Sequence, residues 1–286
     1  MSTVTGPAAG AALTPCRIGV VGAAGRMGRA LLQVILADPA LQLGAAVVRP
    51  GSAAIGCDAG SLVGAGDTGV AVSAQLGDVL PAIDVLVDFS LPEAALAHLA
   101  LCADTGTPVV LGGTGFDTAG LDAVAAAARR IPVVHAANYS VGVTLALRLI
   151  ALAAEVLGDT VDVEVLEAHH RHKVDAPSGT ALRMAETLAT TLGRDLASDA
   201  VYGRHGRGEP RDRRTIGFST IRGGDVVGEH TVLFLGEGER LEITHRASSR
   251  MTFAQGALRA ATWVVQRSAP GLYEMDAVLG LSDCGR

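Results

Sequence analysis

From residue 16 to residue 140, short apolar runs alternate with longer stretches whose apolar positions recur at helical spacing. Cys16-Arg-Ile-Gly-Val-Val-Gly22 is brief, β-branched and closed by glycine, as a buried parallel strand is. Arg29–Ala37 follows with helical spacing and stops at Asp38-Pro39. Further strands are predicted at Leu41–Val48, Ile83–Phe89, Pro108–Leu111 and Ile131–His135, and helices at Pro92–Ala103 and Thr118–Arg129. Gly51–Asp67, rich in Gly, Ala and Ser and without a period, is expected to be a long loop. Strands alternating with helices imply an α/β domain of the Rossmann type, a doubly wound parallel sheet.

Past Val141 the pattern changes. Val143–Leu157 is a long apolar helix, Val161-Asp-Val-Glu-Val-Leu-Glu167 alternates as a half-buried strand does, and a helix is expected at Thr180–Leu192. Strands near Thr215–Thr220, Val226–Leu235 and Arg240–Arg246 follow one another without a helix between them. Such a succession signals an α+β domain with a mostly antiparallel or mixed sheet. A closing helix at Thr252–Arg267 is expected to return to the first domain. The domains are therefore drawn as 16–140 with 250–286, and 141–249. Residues 1–15, rich in Ala, Gly and Thr, are expected to be a disordered tail.

Composition removes several function classes. A hydrophobic content of 49% over 286 residues gives enough material for one large or two ordinary cores. Aromatic residues make up only 3%, so stacking platforms for single-stranded nucleic acid are few. The net charge of −6 argues against nucleic-acid and membrane-surface partners. Cys16, Cys57, Cys102 and Cys284 are scattered, with no Cys-x-x-Cys pair, and read as reduced thiols of a cytoplasmic protein. The first 15 residues lack the basic start and apolar run of a signal peptide, and no apolar run reaches membrane-spanning length without polar interruption.

The first strand feeds directly into Gly22-Ala23-Ala24-Gly25-Arg26-Met27-Gly28 and then a helix. Strand, glycine turn and helix in that order form the dinucleotide fingerprint in its G-x-x-G-x-x-G variant. Its glycines let the backbone approach a pyrophosphate that faces the helix N-terminus. This marks 16–140 as a dinucleotide-binding domain. About 20 residues on, where an acid would bind the ribose hydroxyls, the chain has Val48 followed by Arg49. A guanidinium in place of a carboxylate favours a 2′-phosphate, hence NADPH over NADH. In an open parallel sheet ligands bind beyond the carboxyl ends of the strands. By that rule Gly112-Gly113-Thr114 and Ala136-Ala137-Asn138-Tyr139 are further cofactor contacts, and Asp88-Phe89-Ser90 is a weaker candidate.

The densest chemistry lies in Glu167-Ala-His-His-Arg-His-Lys-Val-Asp-Ala-Pro-Ser-Gly-Thr-Ala181. Lys173 is the sole lysine among 23 basic residues, which places it where a compact, titratable ammonium is needed. Three readings compete for His169, His170, His172 and Lys173. A metal site is disfavoured because adjacent histidines on a strand cannot face one ion and the loop is rich in cations. A solvated basic turn is the bland alternative. The third is an anion site containing a proton donor, since Pro177-Ser178-Gly179-Thr180 gathers hydroxyls and backbone N–H groups at a helix N-terminus. Joined to a nicotinamide, that site would reduce a small anionic molecule, with histidine or Lys173 supplying the proton.

The Glu167–Ala181 stretch resembles the signature of the 4-hydroxy-tetrahydrodipicolinate (dihydrodipicolinate) reductase family. The resemblance runs from Arg17 through Gly22–Gly28, Gly112–Phe116, Ala137–Gly142, Arg222–His230 and Ile243–Met251. It implies an NAD(P)H-dependent oxidoreductase that reduces a cyclic imine dicarboxylate, with loss of water, in lysine biosynthesis through diaminopimelate. It also implies a homotetramer assembled through the second domain. By the same resemblance His169 matches the proton donor and Lys173 the second catalytic residue. His170 matches a substrate contact, and Gly179 and Thr180, with Ser178 alongside, match the seat of a substrate carboxylate. No metal is implied. Where relatives often carry Glu the chain has Val48, and where they often show Gly-Thr-Thr-Gly it has Gly112-Gly113-Thr114-Gly115. A related two-domain amino-acid or imine dehydrogenase and a non-catalytic NADPH sensor remain as alternatives.

Overall fold

The computed structural model describes residues 15–281. The expected tail, apart from Pro15, and Cys284 lie outside them. The described chain forms two compact units, 15–135 with 257–273, and 136–256 with 274–281.

In the first unit β1 (Cys16–Val21) leads into α1 (Arg26–Ala37) and β2 (Leu41–Val47), followed by β3 (Val72–Ser73) and α2 (Leu76–Val79). Then come β4 (Val85–Asp88), α3 (Pro92–Thr105), β5 (Val109–Leu111), α4 (Thr118–Ala128) and β6 (Pro132–His135). Among the described residues the sheet has seven strands in the order β12-β6-β5-β4-β1-β2-β3, where β12 is Gly271–Tyr273 near the end of the chain. All of its pairings are parallel. Helices cover parallel strands on both faces, so their side chains are apolar throughout: Val85, Leu86 and Val87 are fully buried. β3 and β12 are too short to carry a period, which is why the hydrophobic pattern did not show them. The expected loop at 51–67 is not featureless. The Asp58 carboxylate accepts the N–H groups of Gly60, Thr68 and Gly69 at 2.7–3.0 Å and caps a 3₁₀ turn, Ala59–Val63.

The second unit contains α5 (Val141–Leu157), β7 (Asp162–His169), α6 (Gly179–Leu192), α7 (Leu196–Asp199), β8 (Ala200–Tyr202), β9 (Ile216–Arg222), β10 (Gly228–Leu235) and β11 (Arg240–Ala247). α8 (Met251–Val264) follows, with the division between units falling inside it, and α9 (Met275–Leu279) ends the described chain. The five strands run in the order β11-β10-β7-β9-β8. β10 is antiparallel to both β11 and β7, but β9 is parallel to β7. The sheet expected to be mostly antiparallel or mixed is thus mixed, with β9 parallel to both β7 and β8. β7 takes the place beside β10, and β9 joins the sheet on the far side of β7. The tail after Tyr273, read as part of the first domain, groups with the second unit, where α9 packs on α5.

Strand alternation positions the chemistry. Val163 and Val165 point into a core built with Phe218, Phe234, Ile150, Met184 and Leu188. The next two residues of the same parity, Glu167 and His169, therefore emerge on that face at the carboxyl end of β7. On the opposite face Glu164 accepts from Arg204 and Arg211, and Arg211 also reaches Asp162. Those ion pairs pin the arginine-rich loop to the sheet.

α5 and the turn after it form 20 residues of mean hydropathy 1.9, long and apolar enough by length and composition to cross a membrane. Arg148 and Glu155 interrupt that segment. One side of it, through Ile150 and Ala154, is core, whereas Leu145, Leu149, Leu152 and Val156 form an exposed apolar stripe.

Candidate active site

The glycine turn sits where β1 ends. Gly22 has a φ of +69°, a left-handed conformation open at little cost only to glycine. A Cβ on Gly28 would lie 2.2 Å from the Gly22 carbonyl oxygen and 2.6 Å from Ala23 Cα, so α1 can approach the turn only because position 28 has no side chain. The N-cap of α1 is Gly25, which offers no side-chain cap, leaving the first-turn N–H groups to a ligand. Arg29 donates to the Ala24 carbonyl oxygen at 3.0 Å and also bonds Leu62, tying the turn to the 3₁₀ segment. This cradle fits a pyrophosphate, and Gly22, Ala23, Ala24, Gly25, Arg26 and Met27 are the residues that would hold it.

Val48 is buried, its N–H donating to the Ser73 carbonyl oxygen at 2.9 Å, while Arg49 is exposed just past the carboxyl end of β2. Gly112, Gly113 and Thr114 leave the carboxyl end of β5. A Cβ on Gly112 would strike the Phe89 ring and one on Gly113 would lie 2.8 Å from the Ser90 carbonyl oxygen, so this chain has no room for a threonine at 113. Asp88 is a structural acid: it accepts the Ser90 N–H at 2.7 Å and pairs with His98 Nδ1 at 2.8 Å. Ala136, Ala137, Asn138 and Tyr139 belong to the second unit. There Asn138 donates to Thr180 Oγ1 at 3.2 Å and accepts the Ser140 N–H at 2.8 Å.

The second constellation surrounds His169, the last residue of β7 rather than part of the loop after it. Its Nδ1 lies 2.6 Å from Glu167 Oε2. Arg222, opposite His169 in the parallel register of β9, donates one N–H to each Glu167 oxygen at 2.7 Å and a further one to the Asp175 carbonyl oxygen. The Ser178 N–H donates to Glu167 Oε1 at 3.2 Å, and its hydroxyl caps α6 through the Ala181 N–H. His230, opposite Glu167 on β10, lies 2.8 Å from Ser178 Oγ and meets the His169 ring edge-on at 5.1 Å. The Gly179 and Thr180 N–H groups open α6 and have no partner among the described residues. Lys173 Nζ is held by both Asp175 oxygens at 2.8–2.9 Å. His170 Nδ1 is buried and unpaired among the described residues, and His172 is exposed. No group of three or more His, Cys, Asp or Glu residues among those described is arranged to hold a metal ion.

Burial pushes the Glu167 carboxyl up, but Arg222 and His169 more than offset it and hold its pKa below the ordinary value. Burial lowers the His169 pKa against the opposing pull of Glu167. Burial likewise takes His230 down to about 4. Between pH 6.5 and 4 an unfolded His230 binds a proton that the folded one refuses. Stability is therefore complete above the unfolded value and falls as pH drops through that window, by up to ~3 kcal/mol. Urea midpoints measured from pH 7 to pH 4 should fall less steeply for His230→Gln than for the parent chain, and equal slopes would contradict this assignment.

The sequence named His169, Lys173 and the Ser178–Thr180 turn as candidates but assigned nothing to Glu167, Arg222 or His230, which the structure brings beside them. Parity along β7 could have linked Glu167 to His169. Arg222 and His230 come from other strands, and although they bound a segment that carries the resemblance, spacing alone does not tie them to Glu167.

The sequence family described as dihydrodipicolinate reductase matches in both parts, its N-terminus over residues 16–139 and its C-terminus over residues 142–279. Curated 4-hydroxy-tetrahydrodipicolinate reductases are similar over nearly their whole length. That of Acinetobacter baumannii (strain AYE) is 59% identical over 267 residues, covering 93% of this chain and 97% of that protein. That of Alkalilimnicola ehrlichii is 60% identical over 265 residues, covering 93% and 99%. Among solved structures, the dipicolinate-bound dihydrodipicolinate reductase of Paenisporosarcina sp. TG-14 has a similar fold, with a TM-score of 0.72 at 24% identity over 91% of this chain and 98% of that one. An amine dehydrogenase from Mycobacterium smegmatis shares the fold at a TM-score of 0.58 and 16% identity, so the architecture alone does not set the chemistry. The identity to the curated reductases, with both halves of the family matched in order around a glycine turn and a histidine-bearing strand end, places the chain in the dihydrodipicolinate reductase family.

Proposed function

We propose that the chain reduces 4-hydroxy-tetrahydrodipicolinate to tetrahydrodipicolinate, consuming one NAD(P)H and one proton and releasing water, as a step of lysine biosynthesis through diaminopimelate. One placement carries this reading beyond family membership: His169 and the start of α6 hang on the same buried carboxylate, which puts an imidazole beside a seat for an anion. Gly179, Thr180 and Ser178 bind a substrate carboxylate through N–H and hydroxyl groups, and His170 is a further substrate contact. Lys173 contributes charge. Its partner Asp175 is exposed, so an incoming carboxylate competes for the ammonium. His169 donates the proton from Nε2, the nitrogen that Glu167 leaves free. When bound, the reduced nicotinamide supplies the hydride.

The first unit serves cofactor binding, and the second, to which Ala136–Tyr139 belong, serves substrate binding and assembly. The cofactor residues are Gly22–Met27, Arg49, Gly112–Thr114 and Ala136–Tyr139. Arg49, exposed past β2 beside a buried Val48, favours NADPH, with NADH also accepted. The exposed stripe Leu145, Leu149, Leu152 on α5 supports self-association, and the family resemblance points to a homotetramer. The free thiols of Cys16, Cys57 and Cys102 fit a cytoplasmic setting.

The test is loss of near-ultraviolet nicotinamide absorbance with substrate generated in place from aspartate semialdehyde and pyruvate by the preceding enzyme. NADPH and NADH are run in parallel. No turnover with either would overturn the reading. Arg49→Ala should raise the KM for NADPH about tenfold, the loss of one charge-assisted contact, and leave that for NADH nearly unchanged. An unaltered ratio of the two would remove Arg49 from the site.

A further inference from the structure

We infer that Glu167 is a positioning residue for the proton donor: it fixes the ring and tautomer of His169 so that Nε2 is the nitrogen that exchanges a proton with substrate, and Arg222 keeps the carboxylate from taking that proton itself. The inference rests on the assignment of His169 as donor. It goes beyond that assignment by giving Glu167 the task of fixing the tautomer and Arg222 that of keeping the carboxylate ionised.

A carboxylate offers about four lone-pair positions on two oxygens. Arg222 fills one on each oxygen, the Ser178 N–H takes another on Oε1, and His169 Nδ1 lies 2.6 Å from Oε2. Three of the four neighbours are obligate donors, and a carboxylate saturated by them has no proton to give. His169 Nδ1 must therefore carry the hydrogen. An unconstrained neutral imidazole would share its proton between both nitrogens, whereas here the hydrogen bond selects one. When the imidazolium gives up its Nε2 proton, the Nε2–H bond breaks, a bond to substrate forms, and the ring is left as the Nδ1–H tautomer that Glu167 already accepts. No rotation of the ring is needed before solvent reprotonates Nε2.

The surroundings fit the assignment. Glu167 is 2% exposed, so its contacts are not diluted by water. His169 is faced by Glu167 from its own strand, Arg222 from β9, His230 from β10 and Lys173 from the following loop. Of these Glu167 alone brings negative charge, and it would support the imidazolium form. Gly228 on β10 leaves the exchanging nitrogen clear, since a Cβ there would lie 3.0 Å from His169 Nε2.

The first measurement is nitrogen-15 histidine NMR of the parent chain at about pH 8, above the ordinary histidine range. The inference expects neutral His169 with its proton on Nδ1, and an Nε2–H tautomer would overturn it. The second is Glu167→Gln, whose amide turns a donor toward one of the four donors now facing the carboxylate. kcat should fall about 100-fold or more, with a smaller change in substrate KM, and the His169 signals should move toward mixed tautomers. Combined with His169→Gln it should cost no more than His169→Gln alone, because both act through one imidazole. Near-parental turnover in Glu167→Gln, or a double variant slower by the product of the single losses, would overturn the role. Parental turnover in His169→Gln would sink the donor assignment instead, and the tautomer spectrum reads the Glu167–His169 pairing independently of it.

Discussion

Replacing His169 by glutamine lowers kcat by about 10²–10⁴-fold, the range that a positioned general acid contributes. Glutamine occupies similar space and still offers a donor to Glu167, so the strand end keeps its shape. It has no proton that can be given up near neutral pH. If the substrate carboxylate sits on Ser178, Gly179 and Thr180 as proposed, its seat does not use the imidazole, and ground-state binding should survive. A titration with dipicolinate, the dicarboxylate bound in the Paenisporosarcina relative, should give an affinity within about threefold of the parent, under 1 kcal/mol. A loss in apparent affinity with kcat preserved would mean that His169 binds rather than donates.

Gly28→Ala is expected to damage the first unit most. The added carbon meets the Gly22 carbonyl oxygen at 2.2 Å and the Ala23 backbone at 2.6–2.8 Å. These are main-chain atoms with no rotamer to change, so α1 must back away from the turn. Overpacking of this kind costs about 3 kcal/mol, a fall in melting temperature of roughly 6–12 °C for a domain of this size. Moving α1 also takes its first-turn N–H groups out of reach of the pyrophosphate, and NADPH affinity should drop more than tenfold, about 1.4 kcal/mol. Calorimetry and a cofactor fluorescence titration check both effects. A parental melting temperature with parental NADPH affinity would show that the helix tolerates the shift and that the third glycine is not what seats it.

These two sites were also the most legible from sequence, for opposite reasons. The glycine turn is local: strand, turn and helix are contiguous, and backbone sterics force glycine at Gly22 and Gly28. The His169 stretch was visible because its chemistry is crowded into a few consecutive residues. Where long-range pairing decides, the pattern was silent. Nothing in Ile216–Arg222 tells whether it lies beside β7 or β10, and only its place beside β7 delivers Arg222 to a carboxylate 55 residues earlier. Asp58 looks like any acid in a Gly/Ala run until three N–H groups converge on it. Asn138 follows a strand of the first unit yet makes its contacts in the second, a division that no periodicity marks.

The serines that begin α5 and α6 are each matched to a histidine, Ser140 with His245 at 3.2 Å and Ser178 with His230 at 2.8 Å. His230 and His245 face each other in the register of β10 and β11. Both helix starts are thus indexed to one rung of the sheet ladder, and the connections leading into them do not set their spacing. The stretch from Arg171 to Ala176 is tied separately, through the Arg171 N–H to Gly224, the Lys173–Asp175 pair and the Asp175 carbonyl, so a change within it can leave the start of α6 in place. The helix start and the loop before it can therefore change independently, one answering to the sheet and the other to its own contacts.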